Sequence, residues 1–235
     1  MPQVEPEIQS DEPAPELLAL HLTEWLGAWP PSGRGVTVVG SPHRVRPGWD
    51  DLVHDIIGVS TPGRAVLSVP PDKVDRLAEV VRGRSLEEDL AALNAILPQV
   101  IPNGSLERGV FRWSVKPADT PDVGEWVPTD DPRVPEWLKP FNGDVLIAWD
   151  DEGRYGAGVG RKMHDRWGHE LSVGTEESLR GRGLGRLLVA TAARRVLAEG
   201  RIPTYQHGPD NQASAKVADA AGFADVGWRV LGFSD

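Results

Sequence analysis

Between residues 178 and 192 the chain reads SLRGRGLGRLLVATA, and its first nine positions hold three arginines and three glycines ahead of an apolar helical pattern. A helix start exposes amide N–H groups that no earlier carbonyl accepts from, together with the positive end of the helix dipole. Glycines at 181, 183 and 185 remove the β-carbons that would keep an anion from those amides. Arg180, Arg182 and Arg186 add forked donors, which suit a diphosphate better than a carboxylate. The stretch reads as an anion cradle. The same glycines would also serve simple close packing of helix on strand, with the arginines solvating a turn.

The whole chain constrains what that anion is. With 25 basic and 35 acidic residues among 235, the formal charge is −10, which argues against nucleic acid or an anionic membrane as the partner. There are no cysteines, so thiol nucleophiles, disulfides and cysteine-held zinc are excluded. The first 15 residues are acidic and proline-rich and read as a disordered leader of a cytoplasmic protein rather than a signal peptide. No apolar run approaches the roughly 20 residues of a membrane span.

The elements that must position the cradle follow from periodicity and breakers. Residues 16–28 carry Leu18, Leu22 and Trp25 at helical spacing, and GVTVVG, DIIGVS and AVLSV read as strands. DKVDRLAEVV predicts a helix, and a second is expected from a capping box at Ser85 and Glu88 along Leu86, Leu90, Leu93 and Leu97 to Pro98. The turn-rich residues 98–108 mark a boundary, dividing an N-terminal α/β domain, 16–104, from a C-terminal one, 105–235. GVFRWSV then reads as a strand. Residues 117–143 hold six prolines in 27 positions and are expected to be irregular, pinned by apolar contact of Trp126 and Trp137. A hairpin turning at DDEG, a strand HELSVGT, the cradle helix closed by Gly200, a strand RIPTYQH, a helix NQASAKVADAA and a strand VGWRVLG complete the order.

The cradle fits neither a dinucleotide fingerprint nor a P-loop, since its spacing is G-x-G-x-G and no Gly-Lys-Ser follows. It resembles the acyl-CoA site of the GNAT acyltransferase superfamily, in which Arg or Gln is followed after two residues by Gly, one residue, and Gly or Ala; here these are Arg180, Gly183 and Gly185. Val173 and Thr175 stand where a variant of the family has Val and Thr, and Asn211, Ser214, Gly222 and Phe223 match its downstream motif. The resemblance covers about residues 109–235. It implies an α/β (α+β) fold with a mixed, mostly antiparallel sheet. Residues 1–108 match no family; they would either shape the acceptor site or form a degenerate half of the same fold, packed sheet against sheet.

The resemblance further implies acetyl-CoA as co-substrate and no metal. The backbone of 171–175 would pair with the pantetheine, and the amides of Gly181, Arg182, Gly183, Leu184, Gly185 and Arg186 would hold the pyrophosphate. Asn211 and Ser214 would face the same arm, Asn211 serving equally as a helix cap. Glu170 stands where some family members carry a general base, with His164 and His169 as neighbouring candidates. The family's usual acid, a tyrosine seven residues after the motif asparagine, is replaced by Ala218. His207 and, ranked just behind it, Tyr205 could substitute, because alternate residues of a strand share a face. The expected activity is acyl transfer to an amine, small or on a peptide, by a monomer or homodimer. A catalytically silent CoA-binding sensor is the alternative.

Overall fold

A computed structural model of the chain describes residues 15–84, 90–102 and 104–232. The leader through residue 14 and the capping box at Ser85 and Glu88 lie outside the described residues. Helices α1 (Glu16–Leu26), α2 (Val74–Val81), α3 (Leu90–Ile96), α4 (Leu184–Ala198) and α5 (Gln212–Ala221) accompany ten strands. These are β1 (Gly35–Gly40), β2 (Ile57–Thr61), β3 (Arg64–Val69), β4 (Arg108–Trp113), β5 (Glu125–Val127), β6 (Val145–Trp149), β7 (Tyr155–Met163), β8 (Gly168–Thr175), β9 (Ile202–His207) and β10 (Arg229–Leu231).

Among the described residues the strands form a single sheet in the order β1-β3-β2-β10-β4-β9-β8-β7-β6-β5. Only β1 with β3 and β8 with β9 run parallel; the other neighbours are antiparallel. Of the two expectations for the N-terminal region, one has its strands stack face to face on the C-terminal sheet. They join it edge to edge instead, because β10 pairs on one side with β2 and on the other with β4. An edge strand presents a row of unpaired amides and carbonyls, and extending the sheet satisfies them on both sides of β10.

Residue alternation sorts the core onto two faces. On one face α2 and α3 cover Ala65, Leu67 and Val69, while α4 and α5 cover Leu171 and Tyr205. On the other, α1 lays Leu18, Leu22 and Leu26 against Val59, Val66, Phe111 and Val230. Three fully buried leucines on one helix stabilise that docking by about 1.5–3 kcal/mol each. Gly27, in the left-handed conformation at φ 98°, ends α1 and donates to Thr23 O.

The proline-rich segment adds only β5 and a short 3-10 turn at Glu136–Leu138. Its tryptophans anchor it by apolar contact, Trp126 on the core beneath α4 and Trp137 against Phe141, with further contacts of their own. Trp126 lies beneath the guanidinium groups of Arg161 and Arg195, at 5.0 and 4.2 Å. Trp137 stays 39% exposed and lies over Gly174, where a Cβ would come within 2.7 Å of its ring.

Helix α1 is tied to the start of β8 through His21, whose Nδ1 lies 2.7 Å from Asp165 Oδ2 and whose ring covers Gly168. A methyl group at Gly168 would collide with that imidazole. Gly168→Ala is therefore expected to lower stability by about 1–3 kcal/mol through overpacking, read as a reduced urea midpoint at unchanged slope.

Candidate active site

The site is organised by the parting of two parallel strands. Strand β8 pairs with β9 only from Gly168↔Ile202 to Leu171↔Tyr205. Beyond that point β8 stays with β7 as far as Ala157↔Thr175, and β9 stays with β4 as far as Val110↔His207. Among the described residues, 172–175 thus offer an edge with no strand partner on the β9 side, where the Thr175 carbonyl accepts from Arg180 Nε at 3.2 Å. A cavity lies on each face of the sheet beside this split.

The first, on the side of α4 and α5, is a cleft of about 560 Å³. Val173, Thr175, Arg180, Gly181, Gly183, Leu184, Gly185, Arg186, Asn211 and Ser214 line it, so ten of the eleven residues picked out from the sequence meet there. The eleventh, Arg182, is exposed and donates to its own turn at Ser178 O, 3.5 Å away. Gly183 caps α4 at φ 79°, and Gly181 has φ 77°; both conformations resist a side chain. The first helical hydrogen bond at this end runs from Leu187 N to Gly183 O, which leaves the amides of Leu184, Gly185 and Arg186 free of intrahelical partners. No acidic residue occupies the first turn. Gly185 also permits close packing, since its Cβ would lie 3.4 Å from Val217 Cγ2. Both readings of the glycines therefore hold, at different positions.

Asn211 likewise does two things: it lines the cleft, and its Oδ1 accepts from Ser214 N at 3.0 Å. Leu179, Ala213, Lys216 and Val217 are lining residues that sequence reasoning missed. Lys216 could have been found, because it lies on the helix carrying Ser214.

The second cavity, about 110 Å³, opens on the opposite face. Its walls include Trp25 from α1, His43, Arg44, Trp49, Asp50 and His54 from the segment between β1 and β2, and Lys162, His164, Glu170 and Gln206 from the sheet region. Gln206 and Glu170 face this cavity because they alternate with Tyr205 and Leu171, which face α4 and α5.

Glu170 is buried, with Oε1 2.7 Å from Lys162 Nζ and Oε2 3.1 Å from His164 Nε2. Burial alone would raise its pKa; the Lys162 charge and the His164 hydrogen bond override this and hold it near about 2. A carboxylate held so low is a poor proton acceptor. It is better suited to orient His164, whose own pKa is pulled below the ordinary value by burial. With Nε2–H directed at Glu170, Nδ1 carries the lone pair, and no protein group among the described residues hydrogen-bonds to it.

The remaining candidates separate. His169 lies at the paired end of β8, buried, with its pKa lowered to about 4 by burial and by Arg161 and Arg201; it is outside both cavities. His207 has both ring nitrogens engaged, Nε2 accepting from Arg112 Nε at 3.1 Å and Nδ1 donating to Gly208 O at 2.8 Å. Tyr205 is buried behind the first cleft, its hydroxyl 2.7 Å from Ser214 Oγ, which lines it. Ala218 is fully buried in the core beneath α5, away from either cavity.

Among the described residues no cluster of three or more metal-ligating side chains occurs, and no helix is long and apolar enough to cross a membrane.

The buried ionisable groups set a pH profile. His164 and His169 have lowered pKa values, so the unfolded chain binds protons first and stability falls as pH drops below about 6.5. Glu170 adds a second loss between about 4.5 and 2, where the unfolded carboxylate protonates and the folded one does not. Urea titrations across pH should show both phases. Glu170→Gln should flatten the lower one and, by stranding Lys162, lower stability at pH 7 by on the order of 2 kcal/mol.

Residues 110–223 match the model of the Acetyltransferase (GNAT) family. Among solved structures, a GNAT-family protein of Novosphingobium aromaticivorans DSM 12444 is similar at 21% identity and TM-score 0.46, over 55% of this chain and 66% of that one. An acetyltransferase from the GNAT family of Colwellia psychrerythraea has 14% identity and TM-score 0.43, over 58% and 60%. A GCN5-related N-acetyltransferase of Kribbella flavida has 14% identity and TM-score 0.43, over 92% of both chains. The chain spans less than two thirds of the length of the first two. No curated protein matches it. With the glycine-rich helix start beside a parted strand pair in place, residues 110–223 of this chain form a domain of the acetyltransferase (GNAT) family.

Proposed function

We propose that this protein transfers an acyl group, most simply acetyl, from a CoA thioester to an amine by direct attack. The observation that carries the reading is the split between β8 and β9, which has a glycine- and cation-lined cleft on one face and a carboxylate-oriented histidine on the other. The residues present fit CoA. Amides of 184–186 and the side chains of Arg180, Arg186 and Lys216 suit a diphosphate, and the free edge of β8 suits an extended amide-bearing arm. Acyl transfer from a thioester at this split needs donors for the oxyanion, which free N–H groups of that edge can supply.

The acceptor would enter from the second cavity. His164 Nδ1 takes a proton from the attacking nitrogen, and Glu170, kept ionised by Lys162, stabilises the imidazolium that forms. The new C–N bond replaces the C–S bond, and the departing thiolate takes a proton from Tyr205, whose hydroxyl Ser214 holds in place. Burial raises the Tyr205 pKa, which makes the phenol a reluctant donor, and a thiolate with a pKa near 8.5 can also leave unassisted. Glu170 thus orients the base, Tyr205 is the favoured acid, and His207 holds Arg112. The division at residue 104 and a soluble monomer or homodimer remain part of this proposal.

Release of free thiol from acetyl-CoA in the presence of an amine panel tests the reading. His164→Gln is expected to lower kcat by about 10²–10⁴ with the CoA Kd unchanged. Arg186→Ala and Lys216→Ala, both at exposed positions, should each weaken CoA binding by roughly 10-fold and reduce its salt dependence. CoA binding without turnover on any amine would replace the enzyme by a silent sensor of acyl-CoA.

A further inference from the structure

The second cavity contains a charge that the chain itself leaves unbalanced. Arg44 is 4% exposed and lines the cavity, yet among the described residues no carboxylate lies within ion-pairing distance of it. Its terminal nitrogens donate to main-chain carbonyls, one to His54 O and one to Trp25 O, each at 3.2 Å. Its Nε is buried and has no partner at all. The carboxylates that share the cavity are already engaged: Asp50 by His54, at 2.9 Å, and Glu170 by Lys162 and His164. An isolated buried cation is costly, and burial draws the Arg44 pKa down to about 10. Proteins resolve that cost by pairing, and here the partner has to come from outside the chain.

We propose that the acceptor is a small amino carboxylate, bound with its carboxylate on Arg44 and its amine turned toward His164. The assignment rests on the acyl-transfer reading and names the substrate class for the same site. A monovalent carboxylate matches the charge of one guanidinium, whereas a phosphate dianion would call for a second free cation, and Lys162 is committed to Glu170. The cavity of about 110 Å³ suits a ligand of few heavy atoms, and the Trp25 and Trp49 rings give its apolar part a surface. Arg44 is also placed to fix the strap: bonds to His54 O and Trp25 O pin the segment 41–57 onto α1. The N-terminal region thereby contributes the group that would select the acceptor.

The test compares free L-amino acids with their carboxamides as acceptors in the thiol-release assay. Expected is a KM for each amide raised on the order of 30-fold or more over its acid, the loss of one charged hydrogen-bonded contact. Arg44→Gln, which retains amide donors for the two carbonyls, should bring the KM ratio of amide to acid close to one, and Arg44→Lys should restore part of the acid's advantage. Equal use of acids and amides by the unaltered protein would overturn the carboxylate assignment and leave acyl transfer standing. If neither series is turned over, titration of the same amino acids against tryptophan fluorescence without acetyl-CoA decides the point. Saturable change lost in Arg44→Gln supports the subsite, and no change overturns it. Failure to bind CoA, measured separately, would count against the parent reading alone.

Discussion

Everything in the candidate site depends on two parallel strands that cannot stay together. Strand β8 is held along its length by β7 and β9 by β4, so each keeps its outer partner where they part after Leu171 and Tyr205. Main-chain groups that a continuous sheet would have consumed are left at the split, open to a ligand that can hydrogen-bond as a strand does. The same parting gives access from both faces of one sheet. In the proposed reaction, a donor among the helix termini and an acceptor among the side chains would meet without either crossing the other's site.

The two cavities use different physics. On the α4 side the attraction is built from backbone: an uncapped helix start, left-handed glycines and a dipole of roughly half a charge, with arginine and lysine side chains at the rim. Such a site needs little folding precision beyond the turn itself. On the opposite face the chemistry is carried by buried side chains whose charges must be balanced by one another. Lys162 on β7, Glu170 on β8 and His164 just after β7 form one balanced group, His54 and Asp50 a second, and Arg44 stands outside both.

Buried charge also explains why the roles of single residues shifted between sequence and structure. Glu170 was read as a base from its place on the strand before the cradle, but its register partner across the hairpin is Lys162, and a lysine at that distance makes the carboxylate too acidic for the task. His207 looked available until its strand was placed beside β4, where Arg112 occupies one ring nitrogen and the Gly208 carbonyl the other. His169 proved to lie where β8 and β9 are still paired. Arg112 lies 95 residues from His207, whereas Lys162 is only eight from Glu170 and Gly208 directly follows His207.

The cradle itself was legible in the chain because its determinants are local: glycines for left-handed turns, a helix start, cations within a few residues, and an asparagine that caps the next helix. Strand and helix order was legible for the same reason, since alternation, helical spacing and proline or glycine breakers act over short range. What the amino-acid order alone left open was decided by pairings across more than a hundred residues. The β10 bridge made one sheet of two segments, α1 covered the second face, and the strap at 41–57 brought Arg44 and Trp49 to a cavity floored by Glu170. Sequence specified the glycine-rich cradle through local backbone chemistry; the second cavity exists only where long-range burial forces charges from different elements to share one low-dielectric space.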